Sequence, residues 1–163
     1  MGAVPSDWIR QTGQQEWPLR GVGIQYMNIE AIHHVSLGVT DLENSRRFYS
    51  RILGLEELTR PPFDFPGAWF SAGASQQLHL IVHPHSTFRA GKGLDTRDGH
   101  FAVRVASYRQ TVDYLRSKGY REQAASDEFH RMILQPHATA GFPQIYILDP
   151  ARNVIEINAA QLD

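Results

Sequence analysis

The sequence predicts an α+β protein built from two similar units, each consisting of a strand, a helix and then further strands. Two observations support this prediction. At residues 32–39 and again at 99–105, apolar and polar residues alternate with the period of two that is typical of a strand with one buried face. Each run continues directly into a segment with helix-capping residues and apolar residues at helical spacing, at 41–53 and 107–119. The chain therefore contains a degenerate internal repeat.

In the first unit, Thr40 is the predicted N-cap of the helix, because Glu43 stands in the capping-box position three residues later. Gly54 is the predicted stop of this helix. Further strands of this unit are predicted at 55–60, 68–71 and 77–82. A short turn separates the last two, which favours a hairpin.

In the second unit, Ser107 is the predicted N-cap, with Gln110 in the capping-box position and Gly119 at the stop. Further strands are predicted at 131–134, 144–148 and 154–158. Pro150 suits the second position of the turn that joins the final pair.

The predicted organisation is an irregular N-terminal arm, a first unit, a polar connector and a second unit. Their boundaries are residues 1–28, 29–83, 84–98 and 99–160. The two units are expected to form one domain, because 163 residues with ordinary apolar content can bury a single sizeable core.

Composition excludes several classes of function. The chain has no cysteine, which excludes disulfides, thiolate metal ligands and a cysteine nucleophile. Sixteen basic and seventeen acidic residues nearly balance, which argues against nucleic acid or an anionic membrane as the partner. No apolar run approaches the ~20 residues of a spanning helix, and no signal peptide is evident. We therefore expect a cytoplasmic protein that acts on a small molecule.

Residues of metal-ligand type occupy corresponding places in the predicted strands. They are His34, His79, His100 and Glu156. In each strand, alternation places this residue opposite the apolar packing face. Two such sheets folded toward each other would line one concave surface, and three imidazoles with one carboxylate suit a first-row divalent metal. The candidate metals are Fe, Mn, Ni, Co and Zn.

The alternative explanation is a wet sheet face with uncoordinated histidines, since Asp, Glu and His side chains commonly face solvent. The joint placement of the four residues within the repeat favours the metal site. His33 lies on the opposite face from His34 and is not expected to bind metal. Arg104 shares the face of His100, where a cation needs an anion or solvent, so it is a candidate substrate-binding residue.

With these residues the chain resembles the vicinal oxygen chelate superfamily. That superfamily includes glyoxalase I, fosfomycin-resistance enzymes, methylmalonyl-CoA epimerase, extradiol dioxygenases and bleomycin-binding proteins. The resemblance extends over residues 29–160. The motifs that carry it are Ile32-His33-His34-Val35-Ser36-Leu37-Gly38-Val39, Leu53-Gly54-Leu55, Leu78-His79-Leu80, Gly99-His100-Phe101-Ala102-Val103 and Asp149-Pro150 with Val154-Ile155-Glu156.

The resemblance implies two βαβββ modules that form a cupped mixed sheet with helices on the outside. It also implies a homodimer and a divalent metal at the four positions named above. Glyoxalase I carries a carboxylate where this chain has His79, and the epimerase carries a glutamine. With one carboxylate, the formal charge of the loaded site would be near +1, which favours an anionic oxygen ligand.

A second resemblance is to the extradiol dioxygenases. Their signature combines a histidine, a hydrophobic-Tyr pair, an acid-Pro turn and a closing glutamate. The matching residues here are His137, Ile145-Tyr146, Asp149-Pro150 and Glu156, with Arg152 where glycine is usual. In that case His34, His100 and Glu156 would be the two-histidine, one-carboxylate triad of an Fe(II) site.

The expected function is therefore a metal-dependent enzyme that chelates vicinal oxygens of a small substrate, in the manner of a glyoxalase-like lyase or isomerase. Glu156 or His79 is the expected base that removes a proton next to a carbonyl, and Tyr146 or His137 the expected donor to the site. A ring-cleaving dioxygenase is the alternative enzyme. A bleomycin-resistance-like binding protein without catalysis is the alternative of a different class.

Overall fold

The structure is a computed structural model that describes residues 29–83, 85, 87 and 89–163. The arm predicted at residues 1–28 lies outside the described residues. Within the described chain, residues 32–163 form one unit that contains two four-stranded sheets. The predicted α+β fold with an internal repeat is confirmed, because both sheets are built in the same way.

The first sheet is formed by one helix and the strands before and after it. The elements are β1 (His34–Val39), α1 (Leu42–Arg51), β2 (Glu57–Leu58), β3 (Gly67–Ser71) and β4 (Gln77–Val82). The strand order is β1-β4-β3-β2, with β1 parallel to β4 and the other pairs antiparallel.

The second sheet repeats this topology. Its elements are β5 (His100–Val105), α2 (Tyr108–Ser117), β6 (Ile133–Gln135), β7 (Gln144–Leu148) and β8 (Val154–Ala159). The order is β5-β8-β7-β6, with β5 parallel to β8. Each module therefore ends by placing its last strand beside its first, which brings the ligand-type residues of the two strands onto one face.

The capping prediction is correct for α2 and wrong by one residue for α1. Ser107 has extended backbone angles, and its hydroxyl accepts a hydrogen bond from the Gln110 backbone N–H at 3.1 Å. In α1 the N-cap is Asp41, not Thr40, since the Asp41 carboxylate accepts from the Asn44 N–H at 2.9 Å. A carboxylate at this position satisfies a free N–H and also interacts favourably with the helix dipole.

Two edge strands differ from their predicted ranges. Strand β2 covers only Glu57–Leu58 of the predicted 55–60, and two prolines without N–H groups follow it at Pro61 and Pro62. Strand β6 begins at Ile133 rather than at 131. The two preceding residues pair instead with Arg121, which accepts from the Met132 N–H at 3.1 Å.

The core contains side chains from both modules. Tyr49 and Phe70 of the first module lie in the same buried cluster as Leu115 and Ile155 of the second. A buried carboxylate also links the modules, because Asp149 accepts a 2.8 Å hydrogen bond from the Tyr49 hydroxyl. The faces of the two sheets that contact the helices are thus buried in the core, and the opposite faces are the ones that can carry a functional site.

The open edges of the two sheets belong to equivalent strands. Strand β1 is outermost in the first sheet and β5 is outermost in the second. Within the described residues, neither strand has a ladder partner on its outer side. Unpaired N–H and C=O groups on an edge strand are a template for pairing with another chain.

Gly67 is required at the start of β3, where a Cβ would overlap the carbonyl oxygen of Leu80 in the neighbouring strand. We expect Gly67→Ala to lower the free energy of unfolding by about 1–3 kcal/mol, because the ladder must shift to relieve the overlap. Gly99→Ala is the matched control, since no atom lies within 4 Å of its added Cβ. Urea denaturation of both variants measures the difference, and equal midpoints would contradict the prediction.

Candidate metal centre

His34 and His79 lie side by side on the face of the first sheet that points away from the core. Their rings are stacked at 4.3 Å between centroids and 15° between planes. The other side of the His79 ring is covered by Trp69, at 4.2 Å and 7°. This packing buries His79 to 9% exposure, whereas His34 remains exposed. His79 therefore occupies a fixed position beneath a more accessible imidazole.

The nitrogens of these two rings have different partners. Nε2 of His79 lies 2.8 Å from the amide oxygen of Gln77, which can only accept, so this nitrogen carries the proton and Nδ1 carries the lone pair. Burial, together with the charges of His34, His33 and Arg60, lowers the pKa of His79. His79 is therefore a neutral imidazole with one free acceptor nitrogen at neutral pH.

His33 is not packed into the core. It precedes the first residue of β1, is exposed, and places Nδ1 2.9 Å from Nδ1 of His34. One of these nitrogens donates and the other accepts. When Nδ1 of His34 is the donor, Nε2 of His34 carries the lone pair and can bind a further ligand. The opposite-face prediction for His33 does not describe its position, because the residue lies ahead of the regular strand, and its ring turns toward His34.

His100 and Glu156 form the corresponding pair on the second sheet. Nε2 of His100 lies 3.3 Å from Oε2 of Glu156. Two side chains hold the carboxylate in place: the Tyr146 hydroxyl donates to Oε2 at 2.8 Å and the Asn158 amide donates to Oε1 at 2.7 Å. The carboxylate is buried at 5% exposure and cannot turn without breaking these bonds.

The hydrogen bonds determine the charge state of this pair. Burial acts to raise the pKa of Glu156, but hydrogen bonds from Asn158, Gln144 and Tyr146 outweigh it, and the pKa is lowered. Burial and the hydrogen bond to Glu156 raise the pKa of Tyr146 to about 12. Glu156 is therefore ionised at neutral pH, and Tyr146 is a protonated donor rather than a base.

The tautomer of His100 determines what can lie between its ring and the Glu156 carboxylate. Nδ1 lies 2.7 Å from the carbonyl oxygen of Asp98 and must donate to it. In the neutral ring, Nε2 then carries a lone pair that points at an ionised carboxylate oxygen. Two such acceptors at 3.3 Å require a cation between them, either a proton or a metal ion. Two ligand atoms that each lie about 2.1 Å from one metal are themselves about 3 Å apart, so the spacing fits.

The four predicted ligands thus occur as two pairs, one on each sheet. Among the residues that the structure describes, no group of three or more His, Cys, Asp or Glu side chains is close enough to hold a metal. His34 and His100 do line one cavity of about 750 Å³, together with apolar residues such as Val35 and Phe101. One member of each pair therefore lines this cavity, and within the described residues the two pairs do not come together as one metal site.

The remaining predicted site residues differ in their positions. Arg104 lines the same cavity, and its guanidinium carbon lies 4.9 Å from the ring centroid of Phe142. His137 is exposed in the loop before β7, and no described contact brings it to Tyr146 or Glu156. Sequence reasoning missed Trp69 and Asn158. Asn158 could have been found, because it lies two residues beyond Glu156 on the same face of β8.

The comparisons with known proteins agree with this architecture. The family profile of the Glyoxalase/Bleomycin resistance protein/Dioxygenase superfamily matches residues 31–157. The chain belongs to this superfamily. The match includes both modules and every predicted metal-ligand position. No curated protein matches the sequence.

Solved structures of superfamily members share the fold. A glyoxalase/dioxygenase from Nostoc punctiforme has a TM-score of 0.64 at 22% identity, and the match covers 83% of this chain and 97% of that one. A lactoylglutathione lyase from Agrobacterium tumefaciens has a TM-score of 0.56 at 19% identity, and the match covers 82% of this chain and 96% of that one. A fosfomycin resistance protein from Listeria monocytogenes has a TM-score of 0.58 at 17% identity, and the match covers 81% of this chain and 94% of that one. At these identities the likeness establishes the fold alone. No helix in the described part of the chain is long and apolar enough to cross a membrane.

Proposed function

We propose that this superfamily member is a divalent-metal-dependent enzyme that binds two vicinal oxygens of a small substrate, as glyoxalase-like lyases and isomerases do. The observation that carries the proposal is the pair of acceptor atoms 3.3 Å apart, Nε2 of His100 and Oε2 of Glu156. The Asp98 carbonyl and the Tyr146 hydroxyl hold these atoms in place. Outer contacts of this kind are what orient metal ligands in proteins.

His34 and His79 would supply the other half of the site. Both rings retain a nitrogen without a described hydrogen-bond partner, Nε2 in His34 and Nδ1 in His79. With three neutral imidazoles and one carboxylate, a divalent ion would keep a formal charge near +1. Such a site favours an anionic oxygen ligand, and the ion would stabilise negative charge that develops on the substrate oxygens.

We infer that the two halves meet across a homodimer. Strands β1 and β5 carry His34 and His100, and neither has a partner on its outer edge among the residues that the structure describes. Pairing β1 of one copy with β5 of a second copy would satisfy both edges and bring the two pairs of ligands into one cup. A two-fold dimer made in this way would contain two equivalent sites.

The residues around the pairs have defined tasks in this proposal. Nδ1 of the neutral His79 is the candidate base that takes a proton from carbon next to a carbonyl, with Glu156 as the alternative base. Whichever group acts as the base would do so only while its lone pair is not bound to the metal, and the other three residues would then hold the ion. Tyr146 stays protonated and orients the Glu156 carboxylate. Arg104, in the cavity wall, would bind a negatively charged substrate group. The apolar part of the cavity would exclude water from the reacting carbon.

A ring-cleaving dioxygenase is the second candidate function. The observation in its favour is the packing of His79 between Trp69 and His34, which would leave His34, His100 and Glu156 as a two-histidine, one-carboxylate set. The exposed position of His137 gives no support to the further histidine of that signature.

Elemental analysis and activity assays of the purified protein test both candidates. We expect one divalent ion per chain, and turnover of a trial substrate such as the hemithioacetal of a 2-oxoaldehyde and a thiol, measured as formation of the 2-hydroxyacyl thioester, with Ni, Co, Mn or Zn and without uptake of oxygen. Iron together with oxygen uptake in the presence of catechol would replace the first candidate with the second. Absence of a bound metal after incubation with each of these ions would contradict both and favour a binding protein without catalysis.

A further inference from the structure

The open face of the first sheet continues beyond His79 into a group of aromatic rings that the proposed reaction does not use. We call Phe63, Phe65 and Trp69 the aromatic shelf. Phe63 and Phe65 are 46% and 37% exposed, which is unusual for two neighbouring phenylalanines. The Phe63 ring lies 5.3 Å from Phe65 and 5.8 Å from Trp69 between centroids, and Trp69 stacks on His79. Ring contacts therefore connect the shelf to the candidate metal ligands.

A guanidinium group lies on the shelf. The central carbon of Arg60 is 4.7 Å from the ring centroid of Phe63 and 5.0 Å from that of Phe65. Its Nη2 donates to the Phe65 carbonyl at 2.8 Å, which holds the plane of the group in position. No carboxylate pairs with Arg60 in the described part of the chain, although Asp64 is close in sequence. Arg60 is a positioned cation that lacks an anion.

The absence of a side chain at Gly67 makes room for this cation. A Cβ at Gly67 would lie 3.2 Å from Nε of Arg60. Positions 67 and 69 lie on the same face of β3, whereas Ala68 and Phe70 lie on the opposite face, in the core. Arg60 therefore lies over the open face, on the same side as Trp69 and the candidate ligands. Its charge contributes to lowering the pKa of His79, which agrees with this placement.

We propose that the aromatic shelf and Arg60 form a subsite for the distal part of the substrate, a planar aromatic ring that bears a carboxylate or phosphate. The ring would pack against the exposed parts of Phe63 and Phe65 that Arg60 does not cover. The anion would pair with the guanidinium N–H groups that do not donate to the Phe65 carbonyl. The substrate class is thus an aromatic acid whose vicinal oxygens lie at the opposite end from its anionic group. This assignment of substrate class rests on the proposed function, whereas the binding of an aromatic anion to the subsite does not.

Nuclear magnetic resonance titration of the ¹⁵N-labelled full chain, followed at the indole N–H of Trp69, tests the subsite directly. The probes are 2-naphthoate, which has ring and anion, 2-naphthylmethanol, which has the ring alone, and acetate, which has the anion alone. Trp8→Phe and Trp17→Phe variants identify the Trp69 signal among the three tryptophans. We expect 2-naphthoate to bind at least about tenfold more tightly than either fragment, since it uses both the stacking and the charged contact.

Two variants provide the comparison. Arg60→Gln should weaken 2-naphthoate binding by about tenfold or more and leave 2-naphthylmethanol unchanged. Arg97→Gln is the matched control, because it removes the same charge from a side chain that is 89% exposed, pairs with Asp95 at 3.4 Å and has no described contact with the aromatic shelf. Equal affinity of the two variants for 2-naphthoate would overturn the proposal. A change of oligomeric state in Arg60→Gln, measured by light scattering, would also overturn it and assign the shelf to a contact between copies.

Zinc titration of the same samples separates this proposal from the proposed function. Zinc binding without selective 2-naphthoate binding would reject the subsite and retain the metal enzyme. Selective 2-naphthoate binding in a protein that binds neither zinc nor any of Fe, Mn, Ni and Co would retain the subsite as a ligand site and reject the metal-dependent reaction.

Discussion

Glu156→Gln is expected to weaken zinc binding by at least about a hundredfold and to abolish metal-dependent turnover. Glu156 is the one carboxylate among the candidate ligands, and changes in residues that only support metal ligands already cost about 10–100-fold in affinity. Glutamine would also replace one acceptor oxygen with an NH2 group, which must face either Asn158 or Tyr146, both of which donate to the carboxylate. Isothermal titration calorimetry with zinc, followed by activity assays, measures both effects.

The control for this substitution is Glu43→Gln. Glu43 lies on α1, its side chain is 65% exposed, and it pairs with Arg46 at 2.8 Å. It has no described contact with a candidate metal ligand. It should bind zinc as the parent protein does. Thermal melting of both variants establishes that they are folded. A folded Glu156→Gln protein with the affinity of the parent would show that Glu156 is not a ligand, and the 3.3 Å contact with His100 would then be an ordinary ion pair.

Combining a His34→Ala copy with a His100→Ala copy is expected to restore half of the metal sites. If each site takes His34 and His79 from one copy and His100 and Glu156 from the other, a mixed dimer contains one intact site and one site that lacks two ligands. Each variant alone should bind zinc at least about a hundredfold more weakly than the parent. The mixed dimer, purified through two different affinity tags, should bind one zinc ion with the affinity of the parent.

The outcome discriminates between two architectures of the site. A site contained within one chain would be damaged in both copies, so the mixed dimer would bind no zinc tightly. A mixture of His34→Ala with itself, carrying the same two tags, controls for effects of tagging and exchange. A parent protein that is monomeric by light scattering would contradict the shared site outright, whatever its metal content.

The repeat and the faces of the strands could be predicted because they depend on local periodicity. Alternation along β1 and β4 placed His34 and His79 on one face, and the stacked rings confirm it. The N-cap of α1 was predicted one residue early, since Thr40 and Asp41 are both good caps and only the backbone angles decide between them. Boundaries of the edge strands were least predictable, because their pairing depends on neighbours distant in sequence.

The environment of each ligand-type residue could not be read from the sequence. The tautomer of His100 depends on the backbone carbonyl of Asp98. Because every residue has such a carbonyl, the residue type does not reveal this contact. The connector provides a second example. Arg89 lies in this polar connector, yet it is buried, pairs with Asp98 and donates to the Arg152 carbonyl at 3.0 Å. Arg152 has a φ of 71°, a left-handed conformation that glycine adopts without strain and that residues with a Cβ rarely adopt.

The sequence by itself determined the α+β repeat, the polar face of each sheet and the identity of the candidate ligands, because a strand's period of two links residue number to direction. Only the tertiary structure decided which ligands meet. It joined His34 to His79 and His100 to Glu156, and it left β1 and β5 with open edges. The physical reason is that alternation specifies the face of a side chain, whereas the distance between two faces depends on how the sheets pack and on which edges remain unpaired.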